Sequence, residues 1–226
     1  MVSIVKSMSL EGLDGYLIEV QTDVAAGLPN FEIVGLPDAS VREAKERIKS
    51  AIKNTNVQFL SRRILINLAP ASKKKEGTIL DLPMALGVLV AIGAVKNSDI
   101  FQDTIFLGEL SLNGKINRIN GVLPMCIEAK KLGIKKVVVP SSNANEAAIV
   151  EDLEIIPVKT LEDVMDFINY DIKLEENIER EDIFNNDNIN SIDFSEVKGQ
   201  ENVKRALEIA ASRWTQLLVN RKPWYR

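Results

Sequence analysis

Histidine is absent from the 226 residues, and cysteine occurs once, at Cys126. The first absence removes Ser-His-Asp and Cys-His triads and every histidine-ligated metal centre, while the second removes internal disulfides and cysteine-rich zinc sites. No metal site is expected. Cys126 reads as a small apolar residue on a core helix. Aromatic residues make up 5% of the chain and are not interleaved with its basic stretches, so no stacking platform for single strands is apparent. No apolar run reaches the ~20 residues of a membrane span, and the first residues, with one lysine at Lys6, lack the long apolar region of a leader. A cytoplasmic protein without membrane contact is expected.

Hydrophobic residues form 46% of the sequence, enough for one substantial core and a smaller second part. The net charge of −4 argues against a uniformly basic nucleic-acid binder and leaves room for a local basic patch. The most telling stretch is 62–90. Ile64, Ile66 and Leu68 alternate with Arg63, Leu65 and Asn67 as in a strand, which Pro70 ends. Lys73, Lys74 and Lys75 then form a loop, Gly77 permits a positive φ, and Asp81 is expected to cap a helix. That helix, predicted to reach about Val95, has no polar face and is therefore expected to be buried all round.

Strands are predicted over 2–9, 15–24 and 30–34, the last flanked by two Gly-Leu-Pro reversals. Ser40 and Glu43 have capping-box spacing, and Val41, Ala44, Ile48 and Ala51 mark one face of the following helix. Arg42, Glu46, Arg47 and Lys49 on its other faces read as solvated charge. Residues 104–110 and 111–116 read as a hairpin turning at Asn113-Gly114. Beyond it, a helix from Gly121 to Leu132, a strand over 136–139, a helix over 143–150, a strand over 153–158 and a helix capped by Thr160 alternate. An α/β (α+β) domain over 1–170 is expected. Residues 171–194 are acidic, with isolated apolar side chains, and read as a linker. Residues 195–226 begin a new unit with a helix starting at Glu201.

The stretches GLPNFEIVGLPDASVREAKERI, RRILINLAPASKKKEGTILDLPMALG and DFSEVKGQENVKRALEIAA resemble the signature segments of magnesium-chelatase-like AAA ATPases of the ComM (YifB) competence type, in the same order. The resemblance implies a Lon-protease-like, ribosomal-S5-domain-2-like first domain, followed by the start of an AAA domain. It also implies ATP and magnesium as cofactors of the complete protein, a hexameric ring, and DNA remodelling such as branch migration in competence and recombination. Val197, Gly199 and Gln200 match the segment lying beside adenine in AAA proteins. No G-x-x-x-x-G-K-[ST] phosphate loop occurs, so no cofactor is expected in this chain alone. The tail SRWTQLLVNRKPWYR departs from the family pattern and reads as a truncation or frameshift.

Lon-type proteolysis needs a serine activated by a lysine of depressed pKa. The matching positions here hold Ile79 and Leu123, and neither can do that chemistry. Ser72 beside Lys73, Lys74 and Lys75 is a poor substitute, because exposed adjacent lysines stay protonated. No catalytic residue is expected. Two functions remain open: DNA-phosphate binding by Lys73, Lys74, Lys75, Arg62, Arg63, Lys115 and Arg118, or an assembly and protein-interaction module.

Overall fold

The computed structural model describes residues 2–55, 57, 62–95, 99–174, 199 and 201–213. The chain divides into two units, residues 1–184 and 185–226, and each is described by itself. The first is a mixed α/β fold with two main sheets, one of them wholly parallel.

Strands β1 (Val2–Glu11) and β2 (Asp14–Ala25) form a hairpin across Gly12, whose φ of 67° is the left-handed value that such a tight reversal requires. Strand β3 (Asn30–Val34), helix α1 (Ala39–Lys53) and strand β4 (Arg63–Ala69) make a β-α-β unit, with β3 parallel to β4 and β4 antiparallel to β2. The sheet order is β1-β2-β4-β3, which leaves β3 at an edge. Gly35 is obligatory at the end of β3: its φ is 99°, and a Cβ there would sit 2.3 Å from the Leu68 carbonyl oxygen.

Helix α2 (Asp81–Ala91) crosses β1 and β2, and every residue from Asp81 to Leu89 is buried, as its uniformly apolar composition predicts. It ends at Ala91, four residues before Val95, with Ile92 as its C-cap, and Gly93 turns the chain with a φ of 79°. The strand β5 (Thr104–Phe106) joins β8 (Lys136–Pro140) and β9 (Glu154–Val158) in the parallel sheet, in the order β5-β8-β9. Helices α3 (Val122–Lys131) and α4 (Ala144–Ala148) lie between these strands in the sequence, and α5 (Leu161–Tyr170) follows them. Two apolar cores result, one around α2 and the large sheet and one around α3, α4 and the parallel sheet.

Several local expectations are corrected. The hairpin of 104–116 is shorter than its sequence pattern. Only β6 (Glu109–Leu110) pairs with β7 (Ile116–Asn117), because Gly108 leaves the run to exchange hydrogen bonds with the start of α2: its N-H reaches the Ile79 carbonyl at 3.1 Å, and its own carbonyl accepts from Leu82 N-H at 3.0 Å. Ser40 does not cap α1. Asp38, held extended after Pro37, does so by accepting from Val41 N-H at 2.8 Å, which places Ser40 inside the helix. Asp81 does not cap α2 either, since its carboxylate is drawn into the interior by Arg47. At α5 the reading holds: Thr160 accepts from Asp163 N-H, and Asp163 returns the bond to Thr160 N-H, a complete capping box.

The second unit contains α6 (Glu201–Arg213), preceded by Gly199 at a φ of 74°. Val197, Gln200, Trp214 and Trp224 lie outside the described residues.

Candidate nucleic-acid interface

Strand β4 separates the predicted basic residues into two groups. Its seven residues at ~3.3 Å each put Arg62 and Arg63 at one end and the lysine loop after Pro70 at the other, roughly 20 Å apart.

The lysine loop is tied into the fold rather than presented as a bare cationic run. Lys75 N-H donates to the Leu36 carbonyl at 3.1 Å, and Asp38 N-H donates to the Lys75 carbonyl at 2.9 Å, so the loop lies beside the segment that enters α1. The Lys75 side chain is wholly buried. Its Nζ donates to the carbonyls of Pro70 and Lys73, the latter at 2.7 Å, and burial pushes its pKa below the ordinary lysine value. The expectation that all three lysines are exposed thus fails at Lys75, because the loop curls around its own ammonium. Lys73 reaches the Glu11 carboxylate at 2.7 Å and lies 4.4 Å from the centre of the Tyr16 ring; Lys74 reaches Glu76 at 2.7 Å. Those carboxylates hold both lysines above their ordinary pKa.

At the other end of β4, Arg62 meets two lysines that sequence reasoning assigned only to solvent or left unmentioned. Lys45 and Lys49 lie four residues apart on α1, hence on one face. With Pro29, Asn30, Phe31, Arg62 and Ile64 they line a cleft of about 350 Å³. The Lys49 ammonium stands 5.7 Å from the Phe31 ring centre and 3.2 Å from Glu46, which lies outside the cleft lining. Arg63 is exposed next to it. The i,i+4 lysines were visible in the sequence, but their meeting with Arg62 depends on the parallel pairing of β3 and β4.

The remaining two cations stand elsewhere. Lys115 lies in the β6–β7 turn, and Arg118 lines a cavity of about 270 Å³ together with Ser9, Glu76, Thr78, Glu109 and Asn120. Ile79 lines this cavity too. Beside it, the Thr78 hydroxyl donates to Glu109, whose other oxygen accepts from Asn117 at 3.0 Å. Burial works against the Glu109 carboxylate, yet the bonds from Thr78 and Asn117 and the charge of Arg47 outweigh it and keep its pKa low. Among the described residues, no lysine lines the cavity; Leu123 stands outside its lining, with its backbone N-H donated to Glu146 at 3.1 Å.

The reading of Arg47 as solvated charge is corrected, because the buried Asp81 carboxylate draws it largely inside. Its Nε and Nη2 clasp Asp81 at 2.6 and 3.0 Å; the arginine side chain is 22% exposed and the aspartate fully buried. Burial pushes the Asp81 carboxyl up, and the Arg47 guanidinium opposes that shift. Cys126 is buried and its thiol is pushed up to about 12 by burial, so it has no reactive thiolate. Among the described residues, no cluster of acidic residues or cysteine suits a metal ion, and no helix is long and apolar enough to cross a membrane.

Residues 20–143 match the family described as subunit ChlI of Mg-chelatase, and the chain belongs to that family. It is 36% identical over 218 residues to the competence protein ComM of Haemophilus influenzae, an alignment covering 96% of this chain and 42% of that protein. The uncharacterized protein YifB of Escherichia coli is 32% identical over 217 residues, with the same two coverages. Lon protease 2 of Bacillus subtilis is 29% identical over 186 residues, covering 74% of this chain and 33% of the protease. The chain thus spans about two-fifths of the length of its ComM and YifB relatives.

Proposed function

We propose that this chain supplies the non-proteolytic accessory part of a ComM-type AAA ATPase that remodels DNA in competence and recombination. In this reading residues 1–170 form a domain of the Lon-like, ribosomal-S5-domain-2-like kind, 171–194 form an acidic linker, and 195–226 open the AAA domain. Val197, Gly199 and Gln200 would face adenine there, while ATP and magnesium are held by the complete hexameric ATPase in the cytoplasm.

One observation carries the assignment of DNA contact to the first domain: Arg62, Arg63, Lys115 and Arg118 are exposed and have no carboxylate partner within 4.0 Å among the described residues. In a protein of net charge −4, cations left unneutralised are available to displace counterions from a phosphate backbone. Lys73 and Lys74 join them after releasing Glu11 and Glu76, whereas Lys75 contributes by shaping the loop. Fluorescence anisotropy with a labelled duplex checks this: affinity is expected to fall steeply between ~50 and ~200 mM salt, and Arg62→Ala/Arg63→Ala is expected to flatten the logarithmic salt dependence by about 2. A chain that binds no DNA even at the lower salt concentration rules the reading out.

The second reading, an assembly module, is favoured by the apolar side chains around the edge strand β3. Leu28 is 88% exposed and Leu36 55%, and no described strand pairs with the outer side of β3.

A further inference from the structure

The cleft at the start of β4 has a composition unlike the other cavities near the predicted basic residues. Among the described residues, three cations, Lys45, Lys49 and Arg62, line it together with one aromatic ring, Phe31, and no carboxylate. The cavities beside Lys73 and Arg118 each contain glutamates: Glu11 and Glu76 in the first, Glu76 and Glu109 in the second. Lys45 and Arg62 have no ion-pair partner among the described residues, and Lys49 has only the exposed Glu46. An anion is therefore the ligand that this lining selects, since only an anion relieves the mutual repulsion of the three cations.

Shape and the ring narrow the class. At about 350 Å³ the cleft falls near the lower end of the ~300–1,000 Å³ typical of small-ligand sites, so it admits one nucleotide-sized group and excludes the breadth of a duplex. Phe31 is half-buried: its inner side packs on the core, while Lys49 stands over the ring from the cleft. A planar base can take that ring face while the flexible lysine moves to the phosphate, because every base offers a π-face and ammonium groups bind phosphate as point charges. The Arg62 carbonyl accepts from Asn30 N-H at 3.4 Å, which sets the Arg62 backbone beside the strand that carries Phe31. No interleaving in the sequence announces this ring: the β-α-β crossover brings Phe31 to Lys45, Lys49 and Arg62.

We propose that the cleft binds one unpaired nucleotide of a single strand, with the backbone phosphate on Lys45, Lys49 and Arg62 and the base on Phe31. The proposal rests on the DNA-contact reading and specifies its ligand. Anisotropy titrations of the full 226-residue chain with an oligothymidylate and with a duplex of equal length test it. Lys45→Ala/Lys49→Ala/Arg62→Ala is expected to weaken single-strand binding at least ~10-fold and to flatten its salt dependence by about 2, the slope carried by three contacts to a single strand. Phe31→Leu is expected to weaken single-strand binding about 5-fold or more while leaving duplex binding and the thermal midpoint unchanged. If the triple variant, folded by circular dichroism, binds the single strand like the parent, the cleft is not the site although the DNA reading survives. If Phe31→Leu lowers single-strand and duplex binding alike, or neither, the base contact is overturned and only a phosphate patch remains. A parent chain that binds neither probe overturns both readings.

Discussion

At the scale of single residues, the strongest physical statement concerns Lys75. An ammonium surrounded by its own loop carbonyls, with no carboxylate in contact, has lost hydration that two hydrogen bonds only partly replace, so its charged form is disfavoured in the folded state. The folded pKa lies below the unfolded one. Between those two values the unfolded chain binds more protons, and stability contributed by this residue therefore rises with pH. Below the folded pKa, both states are charged and the burial cost is at its full size. Urea denaturation from pH 7 to the ordinary lysine pKa is expected to show the parent gaining stability relative to Lys75→Met as pH increases; parallel profiles would mean that Lys75 is not buried as described. The sequence displayed this residue as the third of three equivalent lysines. No spacing distinguishes it, because the curl that brings the Pro70 and Lys73 carbonyls onto its ammonium comes with backbone bonds from Lys75 to Leu36 and Asp38, which lie distant in the chain.

At the scale of elements, the Arg47–Asp81 pair fastens α1 to the first turn of α2. The bond is bidentate, and Asp81 also accepts from Leu110 N-H at 3.3 Å, so one buried carboxylate links two helices and a strand. Removing the arginine alone strands that carboxylate in the core, a change that typically costs about 3–5 kcal/mol, whereas replacing both partners by apolar groups is often nearly neutral. Chemical denaturation should accordingly show Arg47→Met much less stable than the parent and Arg47→Met/Asp81→Leu recovering most of the loss. Additive losses in the double variant would exclude this coupling. Helix α2 has a second close constraint at Gly87, where an added Cβ would approach the Thr22 hydroxyl to 2.3 Å. The Thr22 and Ser3 side chains consequently pack directly on the helix backbone at Gly87, which its run of apolar residues does not reveal. The central helix itself was legible, since residues without a polar face have nowhere to go but the interior. The role of Asp81 was not legible. Its position at a helix start fits a cap equally well, and only the approach of Arg47 decides between the two uses.

For the molecule as a whole, the arrangement of surfaces separates the two functional readings. The cationic cleft lies between α1 and the start of β4, while the exposed leucines flank β3, whose outer edge no described strand covers. A bare edge strand with apolar neighbours is a template for pairing with another chain. In the assembly reading, sedimentation velocity shows concentration-dependent association that Leu28→Ser and Leu36→Ser reduce; a chain that stays monomeric at the highest attainable concentration retires that reading without touching DNA binding. The cavity beside Ile79 has a different standing: Arg118 lines it together with Thr78 and Glu109, and Asn117 bonds Glu109 from outside the lining.

The sequence by itself determined the order of strands and helices, the burial of the central helix and the family, because apolar period, glycine turns and long signature segments are local properties of the chain. It also placed Thr160 at a helix start and Cys126 in the core. What only the tertiary structure decided is which charges are free. Arg47 and Lys75 are taken inside, Lys73 and Lys74 are neutralised by Glu11 and Glu76, and Lys45, Lys49 and Arg62 gather around Phe31. The cause is geometric: electrostatic neighbours are fixed by sheet register and crossover, which bring together residues that no local spacing relates.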